Sequence, residues 1–188
     1  ARRGCDVQRL RQLLVFDRFL ARTFSVFGET AVLKGGMVLQ LRVERARATK
    51  DIDLSLLANV EEVLCRLQAA SRLDLGDFLR FEVQPDPNQP VLRVKGLESR
   101  RFRAEAQLAG KIYGSRFGID VVIADPVLGM AEMVRGPEFL AFAGIAPTSF
   151  RVYPIEMHIA EKLHAYTQPR DRPNSRVKDL PDFALLAS

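Results

Sequence analysis

The sequence predicts an α+β fold, on three observations. Apolar residues recur at helical spacing near the start of the chain, period-two alternation dominates its middle, and helical signals return after Pro154. Asp6 is a suitable N-cap for the first helix, and Leu10, Leu13, Leu14, Phe16, Phe19 and Leu20 gather on one broad face that needs a partner. Phe27-Gly28 ends that segment. Thr30 to Leu33 reads as a short buried strand running into Lys34-Gly35-Gly36, and Met37 to Leu41 begins a helix. The charged stretch Arg42 to Lys50 is loop-like and Asp51 to Leu57 is a strand. Asn59 with Glu62 resembles a capping box opening a helix that runs to about Ser71.

From Phe78 to Asp125 the character changes to strands. Phe81 to Gln84 and Val91 to Val94 flank the turn-forming Pro85-Asp86-Pro87-Asn88, and Phe102, Ala104, Ala106 and Leu108 alternate with Arg103, Glu105 and Gln107. Gly110 and Gly114 mark turns before the apolar run Ile119 to Ile123. Strands joined by short turns pair antiparallel. The last third returns to helix: Pro154 precedes Ile155 to Tyr166, and Leu180 to Leu186 forms a further helix with Pro181 in its first turn.

A chain of 188 residues, 47% apolar and 27% charged, has enough apolar material for one domain with a real core. No run approaches the roughly 18 apolar residues needed to cross a bilayer, and Ala1-Arg2-Arg3-Gly4 lacks the apolar stretch of a signal peptide, so a cytoplasmic protein without membrane contact is expected. Cys5 and Cys65 lack metal-ligand spacing and read as ordinary thiols. His158 and His164, six apart, do not share a helical face and do not form a zinc motif. The net charge of +5 suits a polyanionic partner. Basic residues concentrate at Arg93, Lys95, Arg100, Arg101, Arg103, Lys111 and Arg116, and again at Arg170, Arg172, Arg176 and Lys178; either stretch can be a phosphate-binding surface or a solvated face.

The chemistry gathers around acidic residues. Alternate side chains of a strand share a face, so Asp51 and Asp53 project together while Ile52 and Leu54 pack behind them. Adjacent carboxylates repel one another unless a divalent cation sits between them, and Mg²⁺ prefers a few carboxylate oxygens plus water and substrate phosphates. Asp120 lies inside the apolar run, where an unpaired charge is costly. If its strand runs beside that of Asp51 and Asp53, the three form a metal site. Gly35-Gly36 lets backbone N–H groups approach a phosphate, although a Gly-Gly pair is commonly just a turn and an Asp-x-Asp pair commonly a solvated strand end.

Leu33-Lys34-Gly35-Gly36 followed by Arg47-Ala48-Thr49-Lys50-Asp51-Ile52-Asp53-Leu54 resembles the signature of the AbiEii family of toxin nucleotidyltransferases, which includes the MenT toxins. Pro154-Ile155-Glu156, Ala160-Glu161-Lys162-Leu163-His164-Ala165 and Arg176-Val177-Lys178-Asp179-Leu180 resemble the family's second region in wording and order. The resemblance spans about Asp6 to Leu186. It implies a single nucleotidyltransferase domain similar to the DNA polymerase beta-like superfamily: a mixed sheet flanked by helices, two lobes around a cleft, with the first helix and catalytic sheet over about 1–125 and a helical lobe over about 150–188. It implies Asp51 and Asp53 as metal ligands with Asp120 as the third carboxylate, Lys162 on the triphosphate, and Asp179 completing the catalytic set. Lys34, Gly35, Gly36, Arg47 and Thr49 join Lys162 in binding nucleotide. The cofactor implied is Mg²⁺, or Mn²⁺ in its place. Fourteen residues separate Gly36 from Asp51, a longer gap than the wider superfamily uses. Family members run longer at both ends, so a compact or trimmed member is expected.

The function so implied is transfer of a nucleoside monophosphate from a triphosphate to RNA, the 3′ end of transfer RNA in some relatives, by a toxin restrained by a cognate antitoxin. Two other readings are a catalytically inactive RNA- or protein-binding module on the same fold, and a small-molecule nucleotidyltransferase.

Overall fold

The computed structural model describes residues 6–43, 46–94, 97–123, 131–169, 177 and 179–186. Helix α1 (Val7–Phe27) starts at Asp6, whose carboxylate accepts the N–H groups of Gln8 and Arg9, and ends at Gly28. Then follow β1 (Ala31–Lys34), α2 (Gly35–Arg42), β2 (Asp51–Leu56), and α3 (Val60–Ser71), the last capped by Asn59 accepting from the Glu61 N–H. The middle strands are β3 (Leu79–Pro85), β4 (Val91–Val94), β5 (Leu97–Leu108), β6 (Lys111–Ile112) and β7 (Phe117–Ile123). The chain closes with β8 (Glu132–Arg135), β9 (Ser149–Val152), α4 (Ile155–Thr167) and α5 (Leu180–Leu186).

All nine strands form one mixed sheet in the order β3-β5-β7-β2-β1-β9-β8, with β4 and β6 also paired to β5. The middle strands are antiparallel to β5 as expected, but β7 runs parallel to β2 and β9 parallel to β1. The expectation that the last third returns wholly to helix is therefore corrected: β8 and β9 extend the sheet beyond β1. Phe150 and Val152, both fully buried, alternate with Ser149 and Arg151, a period-two signal too short to stand out in the sequence.

Helices α1 and α3 cover one face of the sheet. Phe16 and Phe19 meet Phe117 edge-on, Phe19 also reaches Phe81, and Phe24 reaches Phe150, so α1 crosses the sheet from β3 to β9. The one broad face read for α1 is also too narrow. Asp17, Arg18, Arg22 and Thr23 are buried too: the loop before β3 brings Asp77 onto the helix, where it receives hydrogen bonds from Arg18 and Arg22, Asp17 lies against Gly136, and Thr23 donates to the Phe19 carbonyl. On the opposite face of the sheet, Val32 packs with Tyr153 and with Met157 of α4. Helix α4 thus stands over β1, in the middle of the sheet.

Candidate active site

Alternation in β2 does what the spacing required. Ile52 and Leu54 are fully buried in the main core, while Asp51 and Asp53 face the side of the sheet away from α1. Strand register then assembles a row of charge at one level: Lys34 on β1 lies beside Asp53, Asp53 beside Asp120 on β7, and Asp120 beside Arg101 on β5. The condition set for Asp120, that its strand run next to that of Asp51 and Asp53, is met by the parallel β2–β7 pairing.

Two glycines shape this row. Gly35, at the start of α2, has φ +67°, and a Cβ there would lie 1.8 Å from Asp53 Oδ2, so any side chain would evict the carboxylate. Gly118, paired with Asp51, donates its N–H to Asp51 Oδ1 at 3.2 Å; a Cβ in its place would come within 2.5 Å of that oxygen. Gly36 is tight against Thr49, 3.0 Å from Oγ1 to the Cβ position. Thr49 donates its N–H to Gln40 Oε1 and its hydroxyl to the Asp51 carbonyl, which sets the entry of the chain into β2.

A second cluster comes from the C-terminal helices. Lys162 of α4 donates to Asp179 at 3.0 Å and to Asp182 at 2.9 Å. Arg47 approaches the same two carboxylates, 3.2 Å from Asp182 and 3.5 Å from Asp179, and both acids are almost fully buried. Burial opposes the charge on Asp182, but hydrogen bonds from Lys162 and Arg47 hold its carboxyl below the usual range. Lys34 lies 3.6 Å from Glu161 and sits 4.3 Å above the Tyr153 ring, tying the sheet to α4.

The carboxylate row is less well compensated. Burial and the neighbouring Asp51 push Asp53 above the usual carboxylate range, against the pull of Lys34, Lys162 and Arg101. Asp120 is pushed up to about 6 by burial, with Arg101 opposing and Asp53 and Asp51 adding to the rise. Its Oδ1 is buried and accepts no hydrogen bond among the described residues. The described residues contain no cluster of three or more His, Cys, Asp or Glu able to cage a metal unaided. What they do contain is a set of hard oxygen donors on adjacent strands with excess negative charge, which fits an ion such as Mg²⁺ that takes one or two carboxylates and completes its shell with water and phosphate oxygens.

Lys34, Gly35, Gly36, Asp51, Asp53 and Asp120 are thus brought together on the sheet, with Thr49 behind them. Lys162, Asp179 and Arg47 are joined in the adjoining cluster. Three residues escaped the sequence reading. Asp182 follows Asp179 by three residues, the spacing of one helical face; Arg101 sits on the polar face of the alternating strand; Gly118 lies two residues before Asp120. In the first basic stretch, Arg100, Arg103 and Arg116 pair with Glu98, Asp86 and Glu105. The cluster at Arg170, Arg172, Arg176 and Lys178, like Lys95, lies outside the described residues. A wide concavity of about 1270 Å³ lies along β3 and the end of α3, lined by Gln68, Phe78 and Gln107 among others. It includes none of these carboxylates, and its own charges, Arg72 and Arg80 against Asp74 and Glu82, balance. No described helix is long and apolar enough to cross a membrane.

Comparison with known proteins bears on the family and the fold. The family model described as nucleotidyl transferase AbiEii toxin, type IV toxin–antitoxin system, matches residues 18–188. No curated protein matches the chain significantly. Among solved structures, the chain is similar to MenT4, a nucleotidyltransferase toxin of Mycobacterium tuberculosis, with 20% identity and a TM-score of 0.56 over 82% of this chain and 52% of that one. It is also similar to JHP933 of Helicobacter pylori, with 16% identity and a TM-score of 0.59 over 94% of this chain and 66% of that one. The chain therefore spans about half the length of MenT4 and about two thirds of JHP933. These likenesses establish the shared fold.

Proposed function

This chain belongs to the AbiEii family of nucleotidyl transferase toxins, and from that premise we propose that it moves a nucleoside monophosphate from a triphosphate to RNA, at the 3′ end of transfer RNA, with release of pyrophosphate. The observation that carries the reading is the carboxylate row at the N-terminus of α2, beside the Lys162 cluster.

Asp51 and Asp53 are the residues that would hold Mg²⁺, which when bound supplies positive charge to the triphosphate, and Asp120 lies beside them. The start of α2, which Gly35 brings against Asp53 and which no side chain caps, would offer its N–H groups to phosphate oxygens. Lys34 and Lys162 add fixed positive charge on the α4 side, and Asp179 and Asp182 hold the Lys162 ammonium in place. A hydroxyl oxygen of the acceptor attacks the α-phosphorus, its proton passes to a carboxylate of the row, and the bond to pyrophosphate breaks. Arg47 and Thr49 act from behind, one on the acids of the Lys162 cluster and the other on the backbone of Asp51. In the cell the activity would be restrained by a cognate antitoxin.

The test is incubation of the chain with Mg²⁺, total RNA and each labelled triphosphate in turn. Label on RNA is expected, with Asp51→Ala reducing it by about 100-fold or more. Label confined to a small-molecule fraction would assign a different acceptor. Its absence from every fraction with all four nucleotides would leave a binding module and sink the enzymatic reading.

A further inference from the structure

Arg101, which the sequence offers only as one cation of a basic stretch, stands in the carboxylate row, and its placement is specific. Its Nη2 lies 3.3 Å from Asp51 Oδ1 and its Nε 3.5 Å from Asp120 Oδ1. The guanidinium therefore bridges two carboxylates on neighbouring strands. Its backbone is pinned on β5: the Arg101 N–H donates to the Pro90 carbonyl, and the Arg101 carbonyl accepts from the Asp86 N–H. Asp86, the other acid within reach at 3.9 Å, already accepts from the N–H groups of Asn88 and Gln89 and from Arg103. Arg101 is thus left to the catalytic row.

Gly118 makes the bridge possible. A Cβ at Gly118 would approach Asp51 Oδ1 to 2.5 Å and Arg101 Nη2 to 3.0 Å, so the missing side chain is the gap through which the guanidinium reaches Asp51. Neither ion pair is short, and the Arg101 side chain keeps 29% of its exposure. That describes a cation placed between the two acids at the edge of solvent, in contrast to a buried bidentate fork.

We infer that Arg101 is a built-in cation between Asp51 and Asp120 that limits this site to one divalent ion, held by Asp51 and Asp53, and keeps Asp120 out of the metal's shell. The inference rests on the proposed reading that the row binds metal and triphosphate. A guanidinium carries one positive charge where a second divalent ion would carry two, and both cannot sit within 4 Å of the same carboxylate oxygens without strong repulsion. Asp120, paired with Arg101 and left uncoordinated, is then the carboxylate available to receive the acceptor's proton. Arg101 itself is a positioning residue.

The experiment is a Mn²⁺ titration of the full chain, followed by electron paramagnetic resonance, with a non-hydrolysable triphosphate analogue present. Wild type is expected to take one Mn²⁺ per chain. Arg101→Gln should admit a second, at concentrations about tenfold below those at which wild type takes up any further ion, while Arg101→Lys, which keeps the charge, should stay at one. Two Mn²⁺ on wild type, or identical titrations of wild type and Arg101→Gln, would overturn the inference and leave the proposed function standing. No Mn²⁺ on any of the three proteins would overturn both. A poorly folded Arg101→Gln leaves the decision to wild type and Arg101→Lys, for which two ions on either is the contrary result.

Discussion

Two groups of charge on opposite faces of the sheet are built to opposite rules. Under α1, Asp77 receives a two-pronged hydrogen bond from Arg22 at 2.6 and 2.7 Å and another from Arg18 at 2.7 Å, while Arg22 also donates to the carbonyls of Leu73 and Leu79. Burial opposes ionisation there, yet the two guanidiniums hold Asp77 below the usual carboxylate range. On the other face of the sheet, Asp51, Asp53 and Asp120 crowd together with one bridging arginine, and two of them are pushed up. The first group is saturated and fastens a loop to a helix. The second is left short of positive charge, as a site must be if its missing cations arrive with the substrate.

The contrast can be broken most severely at Asp77. Asp77→Ala would strand two buried guanidiniums, and a loss of about 3–5 kcal/mol is expected in urea unfolding; a loss under about 1 kcal/mol would mean the cluster is not the fastener described.

A smaller effect is expected at Asp17, also on α1 but poorly paired. Burial raises its carboxyl to about 6 against the pull of Arg18, and its Oδ1 accepts no hydrogen bond among the described residues. A raised carboxyl pKa means the folded state holds a proton that the unfolded state has released, so this group's contribution falls as pH rises from about 4 to about 6 and is flat above. Buried His158, lowered to about 4 chiefly by burial and by Lys162, acts in the opposite sense, losing stability as pH falls from about 6.5 to about 4. Asp17→Asn should raise the Tm at pH 7 and unmask the His158 slope, making the variant more acid-sensitive than wild type between pH 6 and 4. Parallel Tm-against-pH curves for the two proteins would contradict this.

The smallest stability effect, opposite in sign to that at Asp77 like the one at Asp17, belongs to Asp53. Replacing it with Asn removes a carboxylate whose ionisation burial and Asp51 disfavour, so a modest rise in Tm should accompany loss of nucleotide transfer. A fall in Tm would show that Asp53 is held as a structural ion pair like Asp77.

Much of this was legible in the sequence. The N-cap at Asp6, the paired aspartates of β2, the alternation of β5 and the helix after Pro154 are local signals, each decided by neighbours within a turn or two of chain. Among the elements missed were β8 and β9, short strands that join the sheet only because β9 pairs with β1, far away in sequence, and the buried polar side of α1, which depends on a loop some 55 residues on.

By itself, then, the sequence determined which residues could do chemistry and which face of β2 they occupy, because alternation in a strand is a property of the backbone. Tertiary structure alone decided that β7 lies parallel to β2, so that Asp120 comes level with Asp53, and that Arg101 stands across from it. Strand order and register follow from how whole faces pack against α1 and α3, and no local pattern encodes that. The same is true of Gly118. In sequence it only leads into an apolar run, and in the sheet it is the gap that lets Asp51 and Arg101 meet.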